Sequence, residues 1–105
     1  MGLGVEFDDR IAALRVSFVQ SLRELVMRFQ ASVARLEMAR EPNVGEIERS
    51  RMREIAHRLA GSGGLYGLEA VTVWGRTSEK LAQHGTIHDL RRAGAELGEL
   101  VAGIR

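Results

Sequence analysis

Leu22-Arg23-Glu24-Leu25-Val26-Met27-Arg28-Phe29-Gln30-Ala31-Ser32-Val33-Ala34-Arg35-Leu36 decides the fold of this 105-residue chain. Its spaced apolar residues fall at Leu22, Leu25, Phe29, Val33 and Leu36. Steps of three and four residues place them on one face of an α-helix. The same rhythm reaches back through Phe18 and Leu14 to Ile11, so the pattern predicts one stripe on a helix from Asp8 to about Arg40. Asp8 and Asp9 suit the positive N-terminal end of that helix. A break near Val16-Ser17 would divide it into an extra short N-terminal helix and a longer one. Residues 1–7 read as loosely ordered. Arg40-Glu41-Pro42 ends the helix, because proline has no amide hydrogen and disfavours helical geometry in the residue before it.

Three more helical patterns follow. Asn43 is expected to open the second helix, with Glu46 at capping-box spacing. Met52, Ile55, Ala56 and Leu59 form its inward face, and it runs to about Gly64. Gly67 marks a turn. Leu68, Val71, Trp74 and Leu81 anchor a third helix over 68–83, which His84-Gly85 stops. Thr86 with Asp89 caps a last helix, whose stripe is Leu90, Ala93, Leu97, Leu100, Val101 and Ile104. Runs of β-branched residues and strict alternation are missing, so strands are not expected. Four amphipathic helices joined by short loops imply an all-α, antiparallel four-helix bundle. The length is that of one domain, residues 1–105.

Bulk composition narrows the function classes. Cysteine is absent, which excludes disulfides and thiolate metal sites. A net charge of +1 supplies no general attraction to nucleic acid or to an anionic membrane. No apolar run approaches the roughly 18 residues of a membrane span. Met1-Gly2-Leu3-Gly4-Val5 lacks the basic and apolar regions of a secretory signal, and position 6 or 7 offers no Ser or Thr for a myristoylation motif. The expected location is cytoplasmic.

Ala56-His57-Arg58-Leu59-Ala60-Gly61-Ser62-Gly63-Gly64 is where the chemistry is expected. At about 100° per residue, His57 lies roughly 140° from the centre of the Met52–Ile55–Leu59 stripe and points to solvent. Ser50, Arg53, Ala60, Gly61 and Gly64 share its side. Each glycine inside a helix costs about 0.5–1 kcal/mol relative to alanine. Close approach by a partner's backbone or a phosphoryl group would compensate, with Ala60, Gly61, Ser62 and Gly64 as the docking surface. The plainer explanation is that Gly61, Gly63 and Gly64 end the helix and let helices pack tightly. A neutral imidazole is a competent nucleophile near pH 7. Arg53 and Arg58 are the groups expected to steady the charged oxygens of a phosphoryl group on its ring.

Ala56, His57, Leu59, Gly61, Ser62, Gly63 and the later Gly67, with Val71 at a leucine position and Glu79 near the end of the third helix, resemble the histidine-containing phosphotransfer (HPt) domains of multistep phosphorelays. The four-helix order agrees over nearly the whole chain. The resemblance implies that His57 accepts a phosphoryl group from an aspartyl phosphate on a receiver domain and passes it to another. The partners would be the receiver of a hybrid histidine kinase and response regulators, the chain acting as a monomer without nucleic acid or membrane. The domain would be no enzyme and hold no cofactor of its own; Mg²⁺ belongs in the receiver. The family usually has Lys three residues after the histidine, where this chain has Ala60. It also tends to larger apolar residues at positions 75 and 78, here Gly75 and Ser78, with Trp74 expected to fill the space.

Other readings compete unequally. A degenerate, HPt-like adaptor would bind a receiver or kinase without carrying phosphate, Ala60 being the sign of lost transfer. A kinase dimerisation helix usually follows its histidine with an acidic residue, whereas Arg58 follows His57. Gly61-Ser62-Gly63-Gly64-Leu65-Tyr66-Gly67 lacks the ending and the preceding strand of a nucleotide loop. His84 and His88 have i, i+4 spacing for a metal, but Gly85 and the turn between them argue against it. Arg49, Arg51, Arg53 and Arg58 cluster on the second helix. Glu46, Glu48 and Glu54 interleave with them, which is unlike the one-sign stripe of a DNA-binding face.

Overall fold

The computed structural model describes residues 3–104, with side chains from Asp8 to Ile104. It is an all-α bundle: α1 (Leu3–Met38), α2 (Pro42–Ser62), a 3-10 turn (Gly63–Tyr66), α3 (Glu69–His84) and α4 (Ile87–Ala102). No strand occurs among the described residues. The helices run up, down, up and down, each packing on its chain neighbours and α4 closing back on α1. Leu22, Phe29, Met52, Leu59, Leu90 and Leu97 form the fully buried centre. Trp74 meets Phe29 edge-to-face, ring centres 5.1 Å apart, and its Nε1 donates to the Ala93 carbonyl at 2.8 Å. No described helix is long and apolar enough to cross a membrane.

The first helix departs from expectation in two ways. It is unbroken through Val16-Ser17. Its stripe is also buried only from Leu22 onward, while Ile11 and Phe18 are half-buried and Leu14 is 52 % exposed. The reason is length. Thirty-six residues span about 54 Å, whereas α3 and α4 have 16 residues each and span about 24 Å. The N-terminal half of α1 therefore overhangs, and the molecule measures 60 Å along its long axis. At the root of the overhang Phe18 stacks on Tyr66 with ring centres 4.6 Å apart, and one turn earlier Arg15 Nε donates to the Tyr66 carbonyl at 3.4 Å. The loose order expected for residues 1–7 concerns a segment of which residues 1 and 2, and the side chains of 3–7, lie outside the described residues.

The caps divide the same way. Thr86 and Asp89 form the reciprocal capping box of α4, each side chain bonded to the other's backbone N–H at 3.1 Å. Hydrogen bonds from the Thr86 backbone N–H, and from its hydroxyl, hold the Asp89 carboxyl below its ordinary value of 3.8. Asn43 caps nothing. Glu41 is the N-cap of α2, without a side-chain bond, and Pro42 takes the first helical position. There its fixed φ suits the helix and its missing N–H removes a donor that would have had no partner.

Two polar clamps hold α2 in place. Glu48 is buried and accepts from Arg35 of α1 and from Arg51, each at 2.8 Å. Arg49 reaches the other way and donates to the carbonyls of Ala82 and Gly85, closing the end of α3. Three of the four side chains in these clamps come from α2, so the helix that carries His57 is tied to both neighbours.

Candidate functional site

Met52, Ala56 and Leu59 turn the inward face of α2 fully into the core, which leaves residue 57 on the outer face. His57 is accordingly 77 % exposed. Its Nδ1 lies 3.0 Å from Glu79 Oε1 of α3. An ionised carboxylate only accepts hydrogen bonds, so in the neutral ring this pairing favours the tautomer with its proton on Nδ1 and its lone pair on Nε2. No other described side chain bonds the ring. The arrangement is an oriented imidazole whose free nitrogen faces solvent.

Glycine brings Glu79 there. A Cβ at Gly75 would lie 2.5 Å from Ala60 N and 2.6 Å from Ala56 O. The α3 backbone thus lies directly on the α2 backbone, on the two residues that flank His57 in sequence and by one turn. Glu79 is one turn beyond Gly75 on the same face of α3, so its carboxylate arrives beside His57. At Gly75 this corrects the expectation that Trp74 fills the space. No space is left, because α2 occupies it, and Trp74 points between α1 and α4 instead. Ser78 is buried and lines, together with Trp74, a groove between α3 and α4.

The glycine run after His57 separates into two roles. A Cβ at Gly63 would meet Thr72 Oγ1 at 2.6 Å and Leu68 O at 2.9 Å, so Gly63 serves packing. Gly67 has φ +73°, the left-handed geometry that closes the turn. Gly61 has nothing within 4 Å of its missing Cβ, and Gly64 has only Glu69 Oε1 and Thr72 Oγ1 near 3.6 Å. Gly61 and Gly64 are exposed, and Ala60 and Ser62 are half-buried. The bare strip expected for docking is therefore open at 61 and 64.

A shallow depression of about 420 Å³ surrounds the imidazole, lined by Ser50, Arg53, Glu54, His57 and Glu79. It holds Arg53, one of the two arginines expected at the site. Arg58 lines a separate groove between α1 and α2, with Leu25, Arg28, Ser32 and Arg51 among its neighbours. The depression thus sets one guanidinium against two carboxylates. His84 and His88 fall on different helices, and no group of three His, Cys, Asp or Glu residues among the described residues is placed to hold a metal ion. Of the arginines that raised a nucleic-acid reading, Arg49 donates to carbonyls at the end of α3 and Arg51, itself exposed, donates to Glu48.

Sequence reasoning missed Gly75 as the residue that builds the site. The signal available was its pairing with the small residues Ala56 and Ala60 on the preceding helix. Compared with known families, curated proteins and solved structures, the chain matches none.

Proposed function

We propose that this chain is a phosphocarrier of a two-component phosphorelay. His57 accepts a phosphoryl group from a receiver-domain aspartyl phosphate and passes it to the aspartate of a second receiver. The observation that carries the reading is the His57–Glu79 pair: a highly exposed imidazole whose Nδ1 faces a carboxylate oxygen at 3.0 Å, leaving Nε2 without a partner among the described residues. In the first transfer the Nε2 lone pair attacks phosphorus. An N–P bond forms, the acyl O–P bond breaks, and the aspartate leaves as carboxylate. The Nδ1 proton stays on the ring, shared with Glu79. The second transfer reverses these bonds on a new carboxylate. Phosphoryl transfer requires mostly positioning and charge stabilisation from the protein. The receiver and its Mg²⁺ supply most of that, which accounts for an acceptor with so little machinery around it. The same reading makes the protein a monomeric cytoplasmic carrier with no cofactor of its own.

A second reading, a receiver-binding adaptor that carries no phosphate, is favoured by Ala60, which offers no cation where the HPt pattern has one. Incubation with a ³²P-labelled receiver separates the two. The carrier reading expects acid-labile label on the wild type and none on His57→Gln. Binding without label on the wild type establishes the adaptor. Equal label on both proteins removes His57 from the chemistry.

A further inference from the structure

We infer that Arg76, on α3, is the cation that meets the phosphoryl group on His57, taking from the neighbouring helix the place that residue 60 leaves empty on α2. The inference rests on the phosphocarrier reading and goes beyond it by naming a group that neither the His57 motif nor its spacing indicates.

Charge raises the question. A phosphoryl group on Nε2 brings nearly two negative charges into a depression that already holds Glu54 and Glu79 against Arg53 alone. Arg58 lines the groove between α1 and α2. On the C-terminal side of His57 the next turn of α2 offers only Ala60 and Gly61.

Register answers it. Gly75 lies on the backbone of Ala60, and Glu79 bonds His57. The two antiparallel helices therefore match residue 75 with residue 60, and residue 79 with residue 57. Arg76 follows Gly75 and precedes Glu79 by three residues, so its side chain neighbours that of Glu79 on the helix surface, one turn toward the level of Ala60. Its wheel position lies on the same flank as Glu79, away from the buried Val71, Trp74 and Ser78. Arg76 is exposed and has no hydrogen bond or ion pair among the described residues. It does not line the depression, so its guanidinium swings in when the phosphoryl group arrives, a rotamer change open to any exposed arginine. Arg53 then flanks the phosphoryl group from the N-terminal side of His57 and Arg76 from the C-terminal side. Two guanidinium groups balance the two carboxylates. The bare Gly61 surface stays clear because the cation comes from the next helix.

The test uses the full chain carrying His84→Gln and His88→Gln, phosphorylated with phosphoramidate, whose ammonia leaves as Nε2 takes the phosphoryl group. Exchange with free imidazole follows: the N–P bond to His57 breaks as one to imidazole forms. An N–P bond stands on both sides, so the equilibrium, read by ³¹P NMR, reports the protein surroundings. Arg76→Ala should shift it toward phosphoimidazole by about threefold to tenfold, the range for losing one charge-assisted contact. Arg76→Lys should stay within about twofold of the parent, and Ala60→Lys added to Arg76→Ala should restore it. An Arg76→Ala equilibrium equal to the parent's overturns the inference. So does a loss that Ala60→Lys fails to restore, since the charge would then not act at the level of residue 60. If His57→Gln in the same background takes up as much phosphoryl group as the parent, the phosphocarrier reading itself falls. That result differs from His57-dependent uptake that ignores Arg76.

Discussion

Helix α2 meets its two neighbours by opposite means. Toward α3 it makes its close contact through backbone: Gly75 rests on Ala56 and Ala60, and Gly63, just past the end of α2, rests on Thr72 and Leu68, while the clamp there, Arg49, bonds carbonyls at the end of α3. Toward α1 it presents side chains: Met52 and Leu59 enter a core shared with Leu22 and Phe29, and Glu48 bonds Arg35. Side-chain packing can adjust rotamers around a substitution, whereas backbone on backbone cannot. The reactive imidazole is aligned across the backbone interface, by Glu79 of α3. The side-chain interface keeps the bundle together and shares with the His57 depression Glu54, which lines both that depression and the α1–α2 groove. Stability and site geometry are thus assigned to different flanks of one helix.

The largest effect should come from the side-chain flank. Phe29 is fully buried and carries the edge-on contact with Trp74. Phe29→Ala should cost about 4 kcal/mol, the range for deleting a buried aromatic ring. Denaturant unfolding measures it. The contrast predicts that the variant, where still folded, keeps the His57–Glu79 bond, visible in the ¹⁵N shifts of the imidazole. Loss of that bond would mean that the two flanks are not separable.

Gly75→Ala should cost less and do more to the site. The added carbon would lie 2.5 Å from Ala60 N, so α3 must move off α2. Overpacking of this kind costs about 1–3 kcal/mol. Glu79 moves with α3, so Nδ1 loses its acceptor and the imidazole reverts to a mixture of tautomers. A Gly75→Ala protein with an unchanged imidazole spectrum would refute the argument that glycine builds the site.

How far the sequence reveals this division follows from the kind of contact. Helices declare themselves by period, and the four stripes, the Thr86–Asp89 box and the outward direction of His57 are all readable from spacing. Burial along a stripe is not, because it depends on what stands opposite. Leu14 has the same local pattern as Leu25, yet α1 outruns its partners and leaves Leu14 in solvent. Gly75 is harder still. A glycine within a helix reads as a local defect, and its role depends on a backbone fifteen residues away in sequence. Arg53 and Arg58 look equivalent as residues near His57, and only the rotation of the helix assigns one to the depression and the other to the α1 groove.

The smallest effect has the opposite sign, which makes it the sharpest test of how the glycines divide. Gly61 lies on α2, exposed, with open space where its Cβ would be. No packing reason holds it there. Gly61→Ala should therefore stabilise the protein by up to about 1 kcal/mol, the ordinary helix preference of alanine, read as a raised unfolding midpoint. The His57 imidazole spectrum should not change, because position 61 touches neither Glu79 nor the interface beneath it. A gain in stability together with slower transfer from a phosphorylated receiver would show that the missing side chain is the room the partner needs. A loss of stability would contradict the open space at Gly61 and join it to Gly63 and Gly75 as a packing residue.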